Sequence, residues 1–486
     1  MSNVRKALIY ASGSQYLIKL LNFASVVILA RILTPEELGI FAIATSVVMI
    51  VTEFRLLGTT NYLVREEFIT KDLVRTGIGL TVLISWTLGI LVFFLAPSIG
   101  RFYELDSLVH IFQILSISFF FAPFISVTSS ILTRELKFDL LMYVNIAVQV
   151  IKIVASIVLI MMGFSYFGLA WGIVISTLLE VIIYRLIKPD IVSWKPLFKN
   201  FKPIVKFGVY SSLINIMSRF EAAASDIIIG KAGTPTQVAI FSRGTGFLNF
   251  ISELVTSGVW QVALPHLSQV KRDGGDLATA YIKASLLLGA VVWPVLAVAG
   301  LASYPAIILI FGEQWVESVP IVSIMAGWAI FKAIHTLSSP LFFSSGKEKL
   351  LLKKQTLVFL GTILAMVCSV PYGLKAIAWS MVGLGLFDFL VSSWALKKVI
   401  NLSIIQFLKK MAPNFILVAS CYFFALTIDY IVDFQTFLPL YSFLILATVM
   451  PVVWLLTIWL IKHPILYELT PIFRYAQNKI KTRFKT

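Results

Sequence analysis

Four basic side chains lie deep within apolar stretches of the sequence: Lys19, Arg219, Arg243 and Lys332. A charge near the centre of a bilayer costs roughly 2.5–3.5 kcal/mol on insertion scales, so it usually faces a cavity or an opposite charge. An arginine matches phosphate oxygens in a bidentate geometry, and a lysine acts as a point charge. We therefore predict that these residues form a cationic cavity that binds an anionic headgroup.

Polar and acidic residues accompany the cations at helical spacing. Residues three or four positions apart share one face of a helix, which predicts a polar cavity lining of Gln15, Asn22, Asn215 and Asn249. Three acids are candidates for coupling transport to an ion: Asp226, Glu253 and Asp388. Asp226 has two interpretations, the binding of a coupling cation and charge balance for Arg219.

Ion pairing inside the membrane is the alternative to a cationic cavity. In that case Arg219 or Lys332 would pair with one of three acids, Glu221, Glu253 or Asp388. Lys152 and Glu180, in successive apolar runs, are interpreted as a structural pair.

Two further polar residues have structural interpretations. His335 is interpreted as a packed histidine with satisfied hydrogen bonds, rather than as a proton carrier. Gln149 is interpreted as a residue that bonds between helices.

The composition indicates that membrane helices position these residues. Of 486 residues, 59% are hydrophobic and 13% are charged, and the mean hydropathy is +0.92. A soluble chain of this length needs far more polar surface, which excludes a soluble enzyme, a nucleic-acid-binding module and a disordered protein. Runs of about 20 apolar residues indicate membrane helices. We predict fourteen, at about 8–30, 38–57, 76–97, 107–131, 142–162, 166–187, 206–230, 236–262, 283–311, 319–343, 353–371, 374–396, 412–432 and 438–461.

The basic residues outside these runs predict the orientation. With the N-terminus in the cytoplasm, 31 of the 40 Lys and Arg residues fall on the cytoplasmic side and four fall in outer loops. This bias agrees with the positive-inside rule, so we expect both termini in the cytoplasm. The net charge of +16 is then a topology signal and a contact with anionic lipids, with no nucleic-acid partner.

An internal repeat predicts the domain organisation. Residues 4–45 align without a gap on 204–245 with eleven identities, including a shared Thr-Pro loop. Six helices separate the copies, so both start on the same side of the membrane, as in transporters with two parallel lobes. We predict a substrate path between an N-lobe and a C-lobe. The predicted domains are 1–200 (helices 1–6), 201–400 (helices 7–12), 401–465 (helices 13–14) and a basic cytoplasmic tail at 466–486.

Catalytic motifs are absent from the sequence. It contains no GxSxG, Walker or HExxH motif, and its two cysteines and four histidines are scattered. We therefore expect no enzyme, no catalytic residue, no metal site and no cofactor. Coupling to a proton, to sodium or to the membrane potential stays open.

Several segments resemble motifs of bacterial polysaccharide transporters. Residues 31–44 (RILTPEELGIFAIA) resemble the signature of helices 1 and 2 in that family. Asp226, followed by Thr-Pro at 234–235 and Ala-Ile-Phe at 239–241, resembles the matching segment of helices 7 and 8, with Ala239 in place of the usual glycine. Residues 134–138 (RELKF) and 168–172 (GLAWG) resemble the turn after helix 4 and the start of helix 6. The chain is thus similar along nearly all its length to the Wzx-type flippases.

That resemblance implies an all-α integral membrane fold. It has fourteen transmembrane helices, as two parallel six-helix lobes of the MATE-like type plus two C-terminal helices. These flippases belong to the multidrug/oligosaccharidyl-lipid/polysaccharide (MOP) superfamily, which also holds the lipid II flippase.

The implied function is to flip undecaprenyl-diphosphate-linked oligosaccharide repeat units to the periplasmic leaflet of the bacterial inner membrane. This step serves O-antigen or exopolysaccharide biosynthesis. The implied partners are the lipid-linked oligosaccharide, a polysaccharide polymerase and a chain-length regulator.

Three alternative functions remain. A cation-coupled multidrug or toxin exporter of the same fold is expected to have twelve helices and an acidic cavity. A membrane polysaccharide polymerase usually needs a large outer loop, whereas the outer loops here have about 6–10 residues. A scaffold subunit of an export complex also stays open.

Overall fold

The computed structural model describes residues 2–56, 58–187 and 189–468. These residues form seventeen α-helices and no β-strand, which confirms the all-α fold class. The predicted basic tail, 466–486, lies outside the described residues from position 469 onwards.

The chain divides into two compact units. Unit 1 comprises Met1–Ser242 and Thr362–Pro371, and unit 2 comprises Arg243–Gly361 and Tyr372–Thr486. The boundaries between the units fall within two helices, Pro235–Arg272 and Glu348–Ser369, and just after the second one. The predicted lobe boundary near residue 200 rests on the sequence repeat and stays a prediction.

Unit 1 contains eight complete helices, the beginning of a ninth and the end of the helix Glu348–Ser369. Its helices are α1 (Ser2–Ile32), α2 (Pro35–Leu56), α3 (Thr59–Arg65), α4 (Lys71–Tyr103), α5 (Ser107–Arg134), α6 (Phe138–Leu159), α7 (Phe167–Ile187), α8 (Lys202–Ala232) and the start of α9 (Pro235–Arg272). A π-helical turn, Ile160–Phe164, extends α6.

Unit 2 contains the rest of α9 and the helices that follow it. These are α10 (Leu277–Leu301), α11 (Ser303–Phe311), α12 (Val319–Ile334), α13 (Ser338–Ser345), α14 (Glu348–Ser369, most of it), α15 (Leu374–Ile400), α16 (Ile404–Val432) and α17 (Pro439–Leu460). In its core, α10 packs against α12 and α16, and α16 packs against α17.

Thirteen spans among the described residues are long and apolar enough to cross a membrane. The fourteenth predicted span, 206–230, lies within α8, which is not one of the thirteen and which carries Arg219, Glu221 and Asp226. Two predicted spans consist of two helices each. The span predicted at 283–311 is interrupted at Ala302, and the one at 319–343 is interrupted after Ile334.

The two copies of the repeat have the same helix junction. α2 and α9 begin 200 residues apart. The backbone N–H of Glu37 donates to the Thr34 hydroxyl oxygen (3.3 Å), and the Thr34 N–H donates to the Glu37 carboxylate (2.9 Å). Thr234 and Gln237 make the same reciprocal pair. Each pair satisfies backbone N–H groups that a helix start would leave unpaired. The same N-terminal cap therefore begins the second helix in both copies of the repeat.

The motif departure at Ala239 corresponds to a difference in packing. In α2, a Cβ atom added to Gly39 would lie 1.8 Å from the carbonyl oxygen of Pro235, so glycine is required for this close approach. At the matching position of α9, Ala239 is buried and its methyl group fits.

The RELKF segment has a clear structural role. Its first residue, Arg134 at the end of α5, donates hydrogen bonds to the carbonyl oxygens of Leu63, Val64 and Glu66 at the end of α3, and of Glu67 beyond it. A helix end leaves carbonyl groups without partners, and the guanidinium satisfies several of them. The hydrogen bonds of Arg134 therefore hold the short helix α3. The sequence analysis identified the RELKF motif but did not predict this helix.

A buried polar network links three segments of unit 2. The side-chain amide of Asn414 in α16 donates to the carbonyl oxygen of Leu286 in α10 (3.1 Å). The Asn414 Oδ1 atom lies 2.8 Å from His463 Nε2, and the N–H of Ile465 donates to His463 Nδ1 (3.1 Å). Both polar side chains have no exposed surface. Since Nδ1 accepts a hydrogen bond, His463 is neutral and carries its proton on Nε2.

Candidate functional site

A cavity of about 440 Å³ lies inside unit 1, where α2 packs against α5 and α8, and α5 packs against α7. These four helices supply its whole lining. The lining residues are Thr45, Val48, Met49, Thr52, Glu53, Arg55, Leu115, Ser118, Ala122, Ile125, Ile173, Thr177, Glu180 and Arg219. Four of these residues are charged and four carry hydroxyl groups, so this is a polar cavity within a bundle of apolar helices.

Arg219 is the one member of the predicted cation set that lines this cavity. Its Nε donates to the Glu53 carboxylate at 2.9 Å. The Glu53 side chain is 12% exposed and the Arg219 side chain is 51% exposed. Arg219 is therefore paired, as the alternative interpretation proposed, but its partner is Glu53 rather than any acid that the sequence suggested.

Arg55 and Glu180 form the second charged part of the lining. Arg55 lies at the end of α2 and is attracted electrostatically by Glu180 and Glu53. Its Nε atom is buried and has no hydrogen-bond partner among the described residues. The interpretation of Glu180 as the partner of Lys152 is wrong, because the structure shows no ion pair between these two described residues. Glu180 faces the cavity instead.

Asp226 lies in α8 about two helical turns from Arg219, and hydroxyl groups surround its carboxylate. The Ser46 hydroxyl in α2 donates to Oδ2 at 2.6 Å, and the Ser242 hydroxyl in α9 donates to Oδ1. The carboxylate therefore connects three helices of unit 1. Its use in ion coupling stays a prediction.

The other unit 1 residues predicted for the site lie in α1 and α8. Lys19 is half-buried in α1, on the face that also carries Asn22. The amide Oδ1 of Asn22 accepts a hydrogen bond from Gln149 in α6 (2.7 Å), which confirms that Gln149 bonds between helices. Gln15 and Asn215 are exposed.

The predicted cations of unit 2 lie over tryptophan rings. The Arg243 guanidinium carbon is 5.2 Å from the centroid of the buried Trp315 ring, and Lys332 Nζ is 4.7 Å from that of Trp328. Both distances are within the range of cation–π attraction. Asn249 and Glu253 are exposed on α9. A single cavity shared by all four predicted cations stays a prediction.

Asp388 forms a largely buried ion pair. Its Oδ1 lies 2.7 Å from Nζ of Lys354, and the side chains are 20% and 10% exposed. The Ser392 hydroxyl also donates to Oδ1 (3.1 Å). Lys354, at the edge of the predicted span 353–371, lies in the second turn of α14.

The interpretation of His335 as a packed, satisfied histidine is confirmed. Its Nδ1 lies 2.9 Å from the Tyr281 hydroxyl, its Nε2 lies 2.9 Å from the Ser393 hydroxyl, and its ring stacks on Phe389. The residue is buried.

Sequence reasoning missed three charged residues of the cavity: Glu53, Arg55 and Glu180. Glu53 and Arg55 lie two positions apart near the end of the second apolar run, where they looked like the start of a loop. Glu180 lies inside an apolar run, where an acidic residue is rare, and this rarity could have identified it as a candidate site residue.

The chain has recognisable relatives. The family described as "Polysaccharide biosynthesis protein" matches residues 28–320. The teichuronic acid biosynthesis protein TuaB of Bacillus subtilis is 22% identical over 369 residues, which cover 75% of this chain and 76% of TuaB. The succinoglycan biosynthesis transport protein ExoT of Rhizobium meliloti is 21% identical over 310 residues, which cover 63% and 62% of the two chains.

The fold has a solved counterpart. The lipid II flippase MurJ in an inward closed conformation matches with a TM-score of 0.76 and 18% identity, covering 92% of this chain and 98% of that one. The described helices thus have the fold of MOP-superfamily transporters, as the sequence motifs implied.

Proposed function

Because the chain belongs to the polysaccharide biosynthesis protein family, we propose that it is a flippase for lipid-linked oligosaccharides. In this proposal it moves undecaprenyl-diphosphate-linked repeat units from the cytoplasmic to the periplasmic leaflet of the inner membrane, by alternating access. The repeat units then serve surface polysaccharide biosynthesis.

The observation that carries the proposal is the polar cavity of unit 1. Its lining holds four charged side chains inside a bundle in which α2, α5 and α7 are long and apolar enough to cross a membrane. Charged residues inside membrane helices are costly and usually line the path of a polar cargo. The cavity therefore supports a path for a polar cargo.

The names of two relatives and of the structural counterpart support the same cargo class. TuaB and ExoT are named for polysaccharide biosynthesis, ExoT is named as a transport protein, and MurJ is named as a lipid flippase. These names favour a lipid-linked glycan over the cationic drugs of the exporter alternative.

In the proposed mechanism the polar headgroup crosses inside the protein and the lipid tail stays in the bilayer. Lys19, Arg243 and Lys332 are the candidate contacts of the diphosphate, because phosphate oxygens accept hydrogen bonds from ammonium and guanidinium groups. Asp226 is the candidate site of ion coupling. A polymerase and a chain-length regulator would act on the cargo after it has crossed.

The test is deletion of the gene, followed by analysis of lipid-linked glycans in spheroplast membranes. We expect one undecaprenyl-linked oligosaccharide to accumulate on the cytoplasmic leaflet and surface polysaccharide to be lost. Expression of the unchanged chain should reverse both effects. A deletion strain with normal polysaccharide and no accumulated glycan would contradict the proposal.

A further inference from the structure

The charges of the unit 1 cavity are balanced. Glu53 pairs with Arg219 at 2.9 Å, and Arg55 is attracted by Glu180 and Glu53. Two acids and two arginines thus line a single cavity of about 440 Å³. A phosphate or diphosphate would gain from the two guanidinium groups, but it would also be repelled by two carboxyl groups at the same short range.

The hydroxyl groups of the lining can present oxygen lone pairs to the cavity, because each lies within hydrogen-bonding distance of a backbone carbonyl oxygen that accepts its proton. Thr45 donates to the carbonyl of Phe41 (2.9 Å), and Thr52 donates to that of Val48 (2.8 Å). Ser118 and Thr177 donate in the same way within α5 and α7. A hydroxyl group has one proton and two lone pairs, so these four oxygens can act as acceptors for a ligand.

The lining therefore offers many acceptors and a few fixed donors. The acceptors are four hydroxyl oxygens and two carboxyl groups, and the buried Nε of Arg55 is a donor with no partner among the described residues. Ionised phosphate oxygens only accept hydrogen bonds, so they cannot satisfy the acceptors. A sugar hydroxyl both donates and accepts, so a sugar ring can satisfy carboxylates, threonine oxygens and the guanidinium together.

The size and the remaining walls suit the same ligand. A volume of about 440 Å³ lies within the roughly 300–1,000 Å³ range of small-molecule sites. Apolar side chains such as Val48 and Ile173 complete the walls, and they can cover the C–H faces of a ring.

We propose that this cavity binds the sugar part of the cargo and not its phosphates. The inference rests on the proposed function and assigns it a sugar-recognition site, with Glu180, Glu53 and Arg55 as specificity-determining residues. Phosphate recognition then takes place elsewhere on the chain.

The test compares two probes on the purified full-length protein in lipid nanodiscs. One probe is the lipid-linked oligosaccharide extracted from the deletion strain, and the other is undecaprenyl diphosphate, which has no sugar. The variants are Glu180→Gln and Thr177→Val. The matched control is Thr427→Val, because Thr427 makes the same 2.8 Å bond to the carbonyl four residues earlier, but on an exposed face of α16.

We expect Glu180→Gln to weaken binding of the oligosaccharide probe roughly 10- to 100-fold, the range for one hydrogen bond to a charged group. Thr177→Val should weaken it roughly 2- to 10-fold, and Thr427→Val should not change it. Binding of undecaprenyl diphosphate should change less than about twofold in all three variants.

Three results would overturn the inference. The first is tighter binding of undecaprenyl diphosphate to Glu180→Gln, because removal of a carboxylate favours an anion in a phosphate site. The second is unchanged oligosaccharide binding in both cavity variants, and the third is equal weakening of binding for both probes. If the glycan still accumulates in the deletion strain, any of these results overturns the inference and leaves the proposed function standing. A deletion strain with no accumulated glycan contradicts both the inference and the proposed function.

Discussion

Replacement of Asn414 by leucine should strongly destabilise unit 2. The change keeps a similar volume but removes the donor to Leu286 and the acceptor of the His463 N–H. A buried hydrogen bond contributes about 1 kcal/mol net, and a buried donor left without a partner costs about 1–3 kcal/mol. His463 is fully buried, so water cannot replace the lost acceptor. The expected loss is about 2–4 kcal/mol.

Thermal unfolding of the purified protein in one detergent, followed by tryptophan fluorescence, measures this effect. We expect the midpoint of Asn414→Leu to fall by roughly 4–10 °C. The control Asn249→Ala, which alters an exposed side chain, should stay within about 1 °C. The double variant Asn414→Leu with His463→Phe should recover part of the loss, because it removes both partners of the buried hydrogen bond. Strictly additive losses, or an unchanged midpoint in Asn414→Leu, would refute the reasoning.

Three further predictions follow from single residues. Burial holds the pKa of His463 below its ordinary value, so the folded state resists a proton that the unfolded state binds near pH 6.5. The contribution of His463 to stability should therefore be complete above that pH and should decline as the pH falls towards 5. Melting midpoints measured over this pH range should decline less in His463→Phe. Gly39→Ala should cost about 1–3 kcal/mol, because its Cβ would lie 1.8 Å from the Pro235 carbonyl oxygen, whereas Gly246→Ala, with open space around it, should not lower the melting midpoint. Asp226→Asn should lower the midpoint and reduce surface polysaccharide, because the two serine hydroxyls donate to different carboxylate oxygens and the NH2 group of an amide cannot accept the second hydrogen bond. Normal values of both the midpoint and the surface polysaccharide would contradict this role.

The helices could be predicted because a membrane span must be apolar along its length, and this property is local in sequence. The interruption at Ala302 could not be predicted, because the segments on both sides of it are apolar. The interruption after Ile334 was missed although more polar residues, 335–340, follow it. Helix α3 was missed for a related reason. It has seven residues, too few for a membrane span, and it is held by the distant Arg134.

The site was predictable in part. The rarity of a charge among apolar residues identified Arg219, which does line a cavity. Its partner was not predictable, because Glu53 lies 166 residues away and pairs with it only through the packing of α2 against α8. Lys354 and Asp388 show the same limit, since they lie 34 residues apart in sequence, in α14 and α15, and only the packing of the helices pairs them.

Pairing changes what an intramembrane cation can do for function. An unpaired arginine in a cavity attracts any anion, and it carries the full cost of its desolvation. When Glu53 neutralises Arg219, that cost falls, but so does the attraction for phosphate, and the pair becomes a surface of fixed hydrogen-bond donors and acceptors. Such a surface distinguishes ligands by the arrangement of their hydroxyl groups rather than by their charge. In the proposed function every cargo carries the same diphosphate, so a charge-balanced cavity would distinguish one repeat unit from another by its sugars.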